Sequence, residues 1–152
     1  MSQSTDRFER QIVVAAARAR VWHALTDVRE FNEWFGVALT SPFAPGAVVS
    51  GHITTEGYED NVATLWVETM EPERRFSFRW HPYAIGPASE YEREPTTLVT
   101  FTLEDAAGGT RLTVVESGFD AIPESRRATA FSMNEQGWTV QLQQVKRWAE
   151  GS

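Results

Sequence analysis

Cysteine is absent from the 152-residue chain, which excludes disulfide bonds, cysteine metal sites and a cysteine nucleophile. No apolar run approaches the ~18 residues that a membrane-spanning helix requires. Residues 1–10 also lack the apolar core of a signal peptide. Basic residues are few, fourteen against twenty-one acidic ones, and the net charge of −7 argues against nucleic-acid binding. We therefore expect a soluble, cytoplasmic protein with no nucleic-acid partner and no membrane span.

Recognisable catalytic and cofactor motifs are also lacking. The three histidines, His23, His52 and His81, lie on different predicted elements and without metal-ligand spacing. The Gly108-Gly109 pair is a turn without the spacing of a phosphate-binding loop, and the sequence SGF at 117–119 is not a hydrolase nucleophile elbow. The sequence thus predicts no catalytic residue, no metal and no cofactor, and it favours a protein that is not an enzyme.

Aromatic residues are abundant, with six Trp, nine Phe and three Tyr, and the longest helical pattern covers 123–149. At 100° per residue one apolar stripe of this helix contains Phe131, Trp138, Leu142, Val145 and Ala149. Gly137 lies beside Trp138, which suggests close approach of another element. Ser132 and Glu135 form a capping-box pattern at which the helix could restart. We expect this helix to pack on a sheet built by the preceding chain.

In most of the remaining chain, apolar and polar residues alternate with the two-residue period of a strand, and two short segments have a helical pattern instead. Strands are predicted at 8–14, 36–40, 47–55, 62–70, 74–81, 96–104 and 110–117, short helices at 15–27 and 28–35, and a loop at 82–95. Grouped strands between terminal helices indicate the α+β class. The expected fold is a single domain over 1–152. In it, a curved antiparallel sheet of six to seven strands wraps on the long C-terminal helix, and two short helices follow strand 1.

Several segments carry a family resemblance in a specific order. They are ARVW (19–22) with ALTD (24–27), FNEWF (31–35), PG (45–46), EPERRF (71–76) running to FRW (78–80), VTFTL (99–103), TRLT (110–113), SGF (117–119) and GW (137–138). Together they resemble the helix-grip superfamily of START domains, the birch pollen allergen and polyketide cyclases. More narrowly, they are similar to bacterial relatives of the activator of the heat-shock protein 90 ATPase. The resemblance implies a helix-grip scaffold.

Glu116 is the sharpest polar signal, because its strand parity matches that of the inward-facing Leu112 and Val114. It is either a polar anchor or acid at the mouth of a cavity, or a strand-end glutamate that reaches solvent or pairs with an arginine. The surrounding aromatics either line a cavity, which the helix-grip resemblance implies, or fill an ordinary core. Gly51, in the middle of a strand, fits a bend or room for a ligand. The predicted cavity lining comprises Trp66, Phe78, Trp80, Val99, Phe101, Val114, Glu116, Trp138 and Leu142.

Three functions follow from these expectations. The leading one is a non-enzymatic binding protein whose apolar cavity takes a small hydrophobic ligand. The second is a cavity-based enzyme of the cyclase or hydrolase type that uses Glu116 or a histidine. The third, implied by the resemblance alone, is a stress protein that contacts a chaperone. The sequence does not predict an oligomeric state.

Overall fold

The computed structural model describes residues 5–82 and 93–151. The strands are β1 (Arg7–Val14), β2 (Val37–Leu39), β3 (Val48–Ile53), β4 (Val62–Glu71), β5 (Arg75–Trp80), β6 (Thr97–Ala106) and β7 (Gly109–Ser117). The helices are α1 (Arg18–Thr26), α2 (Val28–Phe35) and α3 (Glu124–Glu150), with a short 3-10 turn at Phe119–Ala121. All strands belong to one antiparallel sheet in the order β1-β7-β6-β5-β4-β3-β2. The predicted α+β helix-grip fold is confirmed.

Two details bear on the sequence predictions. No helix in the described part of the chain is both long enough and apolar enough to cross a membrane. The predicted loop at 82–95 lies mostly outside the described residues, whose second stretch begins at Arg93.

Helix α3 lies along the sheet, and its buried residues recur at helical spacing along one side. The buried positions are Ala130, Trp138, Leu142, Val145 and Ala149. Phe131 is half-buried and its ring contacts those of Phe8 and Phe119. The helix is continuous through the possible restart at Ser132, whose hydroxyl oxygen instead accepts a hydrogen bond from the Gln136 side chain.

The expectation for Gly137 is wrong. An added Cβ there would meet nothing within 4 Å among the described residues, so no described element approaches it. The glycine costs the helix about 1 kcal/mol relative to alanine, and packing against the described part of the chain does not offset that cost.

The inner face of the sheet follows the predicted parity. Across β5, β6 and β7 one row pairs Phe78 with Val99 and Val99 with Glu116, and the next pairs Phe101 with Val114. These side chains are all buried. The alternation predicted for the β6–β7 hairpin is therefore confirmed, and it turns Glu116 toward α3.

Helix α2 begins and ends on specific side-chain and backbone chemistry. The Asp27 carboxylate accepts hydrogen bonds from the backbone N–H groups of Arg29 and Glu30, which caps the N-terminus. Gly36, at φ 91°, ends the helix in the left-handed conformation that glycine adopts without strain. These two ends place Phe35 in contact with the Trp138 ring on α3.

A glycine is required at position 51 for a reason other than the bend or the ligand space considered above. A Cβ at this position would lie 2.0 Å from the carbonyl oxygen of Ala38 in β2. The missing side chain therefore makes room for the backbone of the neighbouring strand, and neither a bend nor space for a ligand is needed to explain it.

Candidate functional site

Glu116 occupies the end of β7 and has no exposed surface. Its Oε2 accepts hydrogen bonds from the Trp80 indole N–H (2.8 Å) and the Thr97 hydroxyl (2.6 Å). Its Oε1 accepts one from the Trp138 indole N–H (2.9 Å), and the Asn134 amide donates to both oxygens at 3.1 and 3.0 Å. Within the described residues every partner of this carboxylate is neutral. The alternative reading, a glutamate in solvent or paired with arginine, is wrong.

The electrostatics of Glu116 follow from these contacts. Burial raises the pKa of its carboxyl above the ordinary 4.5, and this outweighs the hydrogen bonds from Thr97, Trp80, Trp138 and Asn134, which lower it. Removing water favours the neutral acid, while neutral donors compensate only partly for the lost hydration of the anion. The site therefore contains a buried carboxyl group with a raised pKa, and both of its oxygens accept hydrogen bonds from the protein.

Three aromatic rings meet above this acid. Trp80 and Trp138 stack with centroids 5.6 Å apart and an interplanar angle of 28°. Phe35 contacts both indoles, at 5.9 and 6.0 Å. Trp138 is buried, whereas Phe35 and Trp80 are only half-buried, so the cluster extends from the core to the surface. We call Phe35, Trp80 and Trp138 the aromatic triad.

Most of the predicted lining residues come together on the inner face. Phe78, Val99, Phe101 and Val114 lie there on β5, β6 and β7, and Leu142 faces them from α3. Trp66 is the exception. It follows the buried Leu65 and precedes the buried Val67, so it points to the opposite face, where it pairs with Arg79 and its ring contacts His81.

Four residues of the site were missed by sequence reasoning. Thr97 and Asn134 contact Glu116, Phe35 completes the triad, and Gln141 donates its side-chain N–H to the Phe35 carbonyl. Two signals were available. Thr97 has the parity of Val99, and Asn134 lies one turn before Trp138 on the same side of α3. The contact between α2 and α3 has no sequence signal, since it depends on tertiary packing.

His23 also lies in surroundings that its spacing does not reveal. The first turn of α2 brings Asp27 and Glu30 to it, with candidate ligand atoms of all three within 4.8 Å of one another. Glu30 already accepts hydrogen bonds from Arg20 and from the Trp148 indole, both at 2.7 Å. Because the carboxylates are engaged by cationic and neutral donors, we assign no metal to this cluster.

An open groove of about 270 Å³ runs between α2 and α3. Its lining consists of Glu33, Trp34, Gln144, Arg147 and Trp148. None of these residues hydrogen-bonds Glu116 or belongs to the aromatic triad, but the Trp34 ring contacts that of Phe35 at 5.8 Å, so the groove adjoins the triad.

The fold and this interior define the class: an α+β helix-grip protein, with an antiparallel sheet held against one long C-terminal helix. The sequence model of the Activator of Hsp90 ATPase homolog 1-like family matches residues 15–150. The chain belongs to this family. No curated protein matches the sequence significantly.

Solved structures agree on the fold. DynU16, a protein from the dynemicin biosynthetic locus, is 28% identical with a TM-score of 0.73 over 95% of this chain and 47% of its own. This chain therefore spans about half the length of DynU16. Protein MLL2253 from Mesorhizobium loti is 23% identical (TM-score 0.75; 96% and 98% covered). The Aha1 dimer from Colwellia psychrerythraea is 17% identical (TM-score 0.70; 95% and 96% covered).

Proposed function

We propose that this protein binds a small hydrophobic molecule against the aromatic triad, between α3 and the inner face of the sheet, without catalysing its conversion. The observation that supports the proposal is a buried carboxylate whose partners in the described part of the chain are all neutral donors, directly behind two stacked indoles. Buried ionisable groups in aromatic surroundings are concentrated at functional sites. A purely structural core is expected to use an apolar residue here, because desolvating a carboxylate is costly.

The geometry suggests how the residues divide the task. Both carboxylate oxygens of Glu116 already accept hydrogen bonds from protein donors. Its role in this proposal is therefore to hold the indoles of Trp80 and Trp138 in one orientation. The half-buried rings of Phe35 and Trp80 then offer apolar faces to a ligand. An anionic group on the ligand is disfavoured by the nearby carboxylate when that carboxylate is ionised. The expected ligand is therefore neutral and largely apolar or aromatic.

A cavity-based enzyme is the second candidate, and the raised pKa of Glu116 is the observation that favours it. Burial raises the pKa of the Glu116 carboxyl, and a carboxylic acid with a raised pKa is the kind of group that acts as a general acid. Such a role requires a lone pair or proton directed at the substrate, and the present contacts of Glu116 occupy both oxygens. Contact with a chaperone and a cytoplasmic location stay predictions that rest on the sequence alone.

Binding is tested with a neutral naphthylamine fluorophore, together with native mass spectrometry of freshly purified protein. Trp80→Ala should weaken fluorophore binding by about tenfold or more, because it removes one wall of the triad. Trp66→Ala is the matched control, since this tryptophan lies on the opposite face of the sheet. A wild-type protein that binds no fluorophore and carries no small molecule would refute the proposal. So would equal effects of the two substitutions.

A second pair of variants asks whether the space between β7 and α3 is open. If ligand space lies there, Val114→Phe should keep the denaturation midpoint while weakening fluorophore binding. If the space is a filled core, the larger side chain should instead cost roughly 1–3 kcal/mol in overpacking. Val115→Phe, one residue along the strand and on the other face, is the control. Loss of stability in a protein that never bound the fluorophore would leave only a filled core.

A further inference from the structure

The outer side of α3 carries no charged residue over about 22 Å, between Ala128 and Gln143. The exposed residues of this stretch are Ala128, Thr129, Ser132, Met133, Gln136, Gly137, Thr139, Val140 and Gln143. The charged residues of α3 lie near its ends, apart from Glu135, which pairs with Arg10 on the flank. Exposed helix faces normally carry charge, and depletion of charge is the compositional mark of an interface core. We call this surface the neutral face.

The centre of the neutral face is shaped for close contact. Gly137 has no neighbour within 4 Å among the described residues where its Cβ would stand. Met133 and Val140 lie on either side of it with 44% and 60% of their surfaces exposed. A glycine between two exposed apolar side chains forms a notch into which the side chains of another helix fit, and it lets the two helix axes approach closely.

We propose that the neutral face of α3 binds the neutral face of a second copy of this chain, forming a two-fold symmetric dimer. Each copy carries a net charge of −7, so two copies approach with least repulsion where neither presents charge. The absence of lysine and arginine from the middle of this face disfavours nucleic acid and an anionic lipid surface as occupants. Ser, Thr and Gln side chains can hydrogen-bond across the axis and still tolerate water in the free chain.

Two-fold symmetry determines the central contacts. When two antiparallel helices cross at Gly137, Met133 of one copy meets Val140 of the other, and the same contact is repeated across the axis. One helix face provides less than the ~800 Å² per partner of a standard interface, so the dimer is expected to be weak and concentration-dependent.

Sedimentation velocity over a concentration series tests the dimer with the full chain. Wild type should shift from monomer to dimer as concentration rises. Val140→Glu should weaken association by about tenfold or more, because a desolvated charge enters the centre of the contact. Val48→Glu is the matched control, since Val48 is a comparably exposed valine (57%) on the sheet. A wild type that stays monomeric at all concentrations would overturn the proposal, as would equal weakening by both variants or no weakening by Val140→Glu.

Two further variants test the orientation. The double variant M133K/V140E places opposite charges across the axis and should recover association relative to Val140→Glu. Gly137→Ala should raise the thermal midpoint of dilute protein through helix propensity and yet weaken association, because its methyl group fills the notch. Failure of the double variant to recover, or unchanged association of Gly137→Ala, would refute the crossing at Gly137.

Discussion

Replacing Trp138 with phenylalanine isolates the contribution of one hydrogen bond inside the Glu116 cluster. The substitution keeps an aromatic ring among Phe35, Trp80 and Phe101 but removes the indole N–H that donates to Glu116 Oε1 at 2.9 Å. Oε1 then keeps only the longer contact from Asn134.

The expected loss follows from two contributions. At a pH where Glu116 is ionised, a buried hydrogen bond to its carboxylate contributes about 1.5–3 kcal/mol to stability. The smaller ring also leaves a void, which adds roughly 1 kcal/mol. At such a pH Trp138→Phe should therefore lower the free energy of unfolding by about 2.5–4 kcal/mol. Trp138→Ala should lower it by about 3–5 kcal/mol, the usual range for truncating a buried tryptophan.

Trp148 on the same helix provides a matched control. Its indole N–H also donates to a carboxylate, Glu30 Oε1, at 2.7 Å, but the side chain is 36% exposed and Glu30 keeps a contact from Arg20. Trp148→Phe should cost less than about 1 kcal/mol, because water replaces the lost donor. Urea unfolding followed by circular dichroism measures both variants without depending on tryptophan fluorescence. If the two losses agree within about 0.5 kcal/mol, the buried hydrogen bond does not stabilise Glu116 as described.

Two shorter predictions concern Glu116 and Gly51. The pKa of Glu116 is higher in the folded protein than the value of about 4.5 expected in the unfolded chain, so above that pH the folded state binds the proton more tightly. The stability that this acid contributes is therefore fully present below about pH 4.5 and is lost as pH rises through the raised folded pKa. Wild type should therefore lose stability relative to Glu116→Gln as pH increases above 4.5, which urea unfolding over a pH series measures. A pH-independent difference between the two proteins would contradict the raised pKa. Gly51→Ala should lower the free energy of unfolding by roughly 1–3 kcal/mol in chemical denaturation, since its Cβ would lie 2.0 Å from the Ala38 carbonyl oxygen. An unchanged free energy of unfolding would show that β2 moves away from the added methyl group without cost.

Local periodicity along a strand is informative about which face of the sheet a side chain occupies. Parity along β7 predicted that Glu116 faces inward, and the structure places it under α3 with no exposed surface. The same rule applied to β4 would have turned Trp66 outward, because Leu65 and Val67 on either side of it are buried. Trp66 was placed in the lining for its aromatic character rather than its parity, and that placement is wrong.

The amino-acid order by itself determined the elements and the class of fold. Apolar spacing of 3.6 residues predicted α3, alternation predicted the strands, and their succession predicted an antiparallel sheet held against one long helix. Tertiary structure alone decided the partners of Glu116, which come from β5, β6 and α3 and lie between 18 and 36 residues away along the chain. It also decided that Gly51 makes room for β2 and that Gly137 faces outward. The physical reason is that periodicity assigns a side chain to a face of its own element, whereas its neighbours depend on how distant elements are packed together.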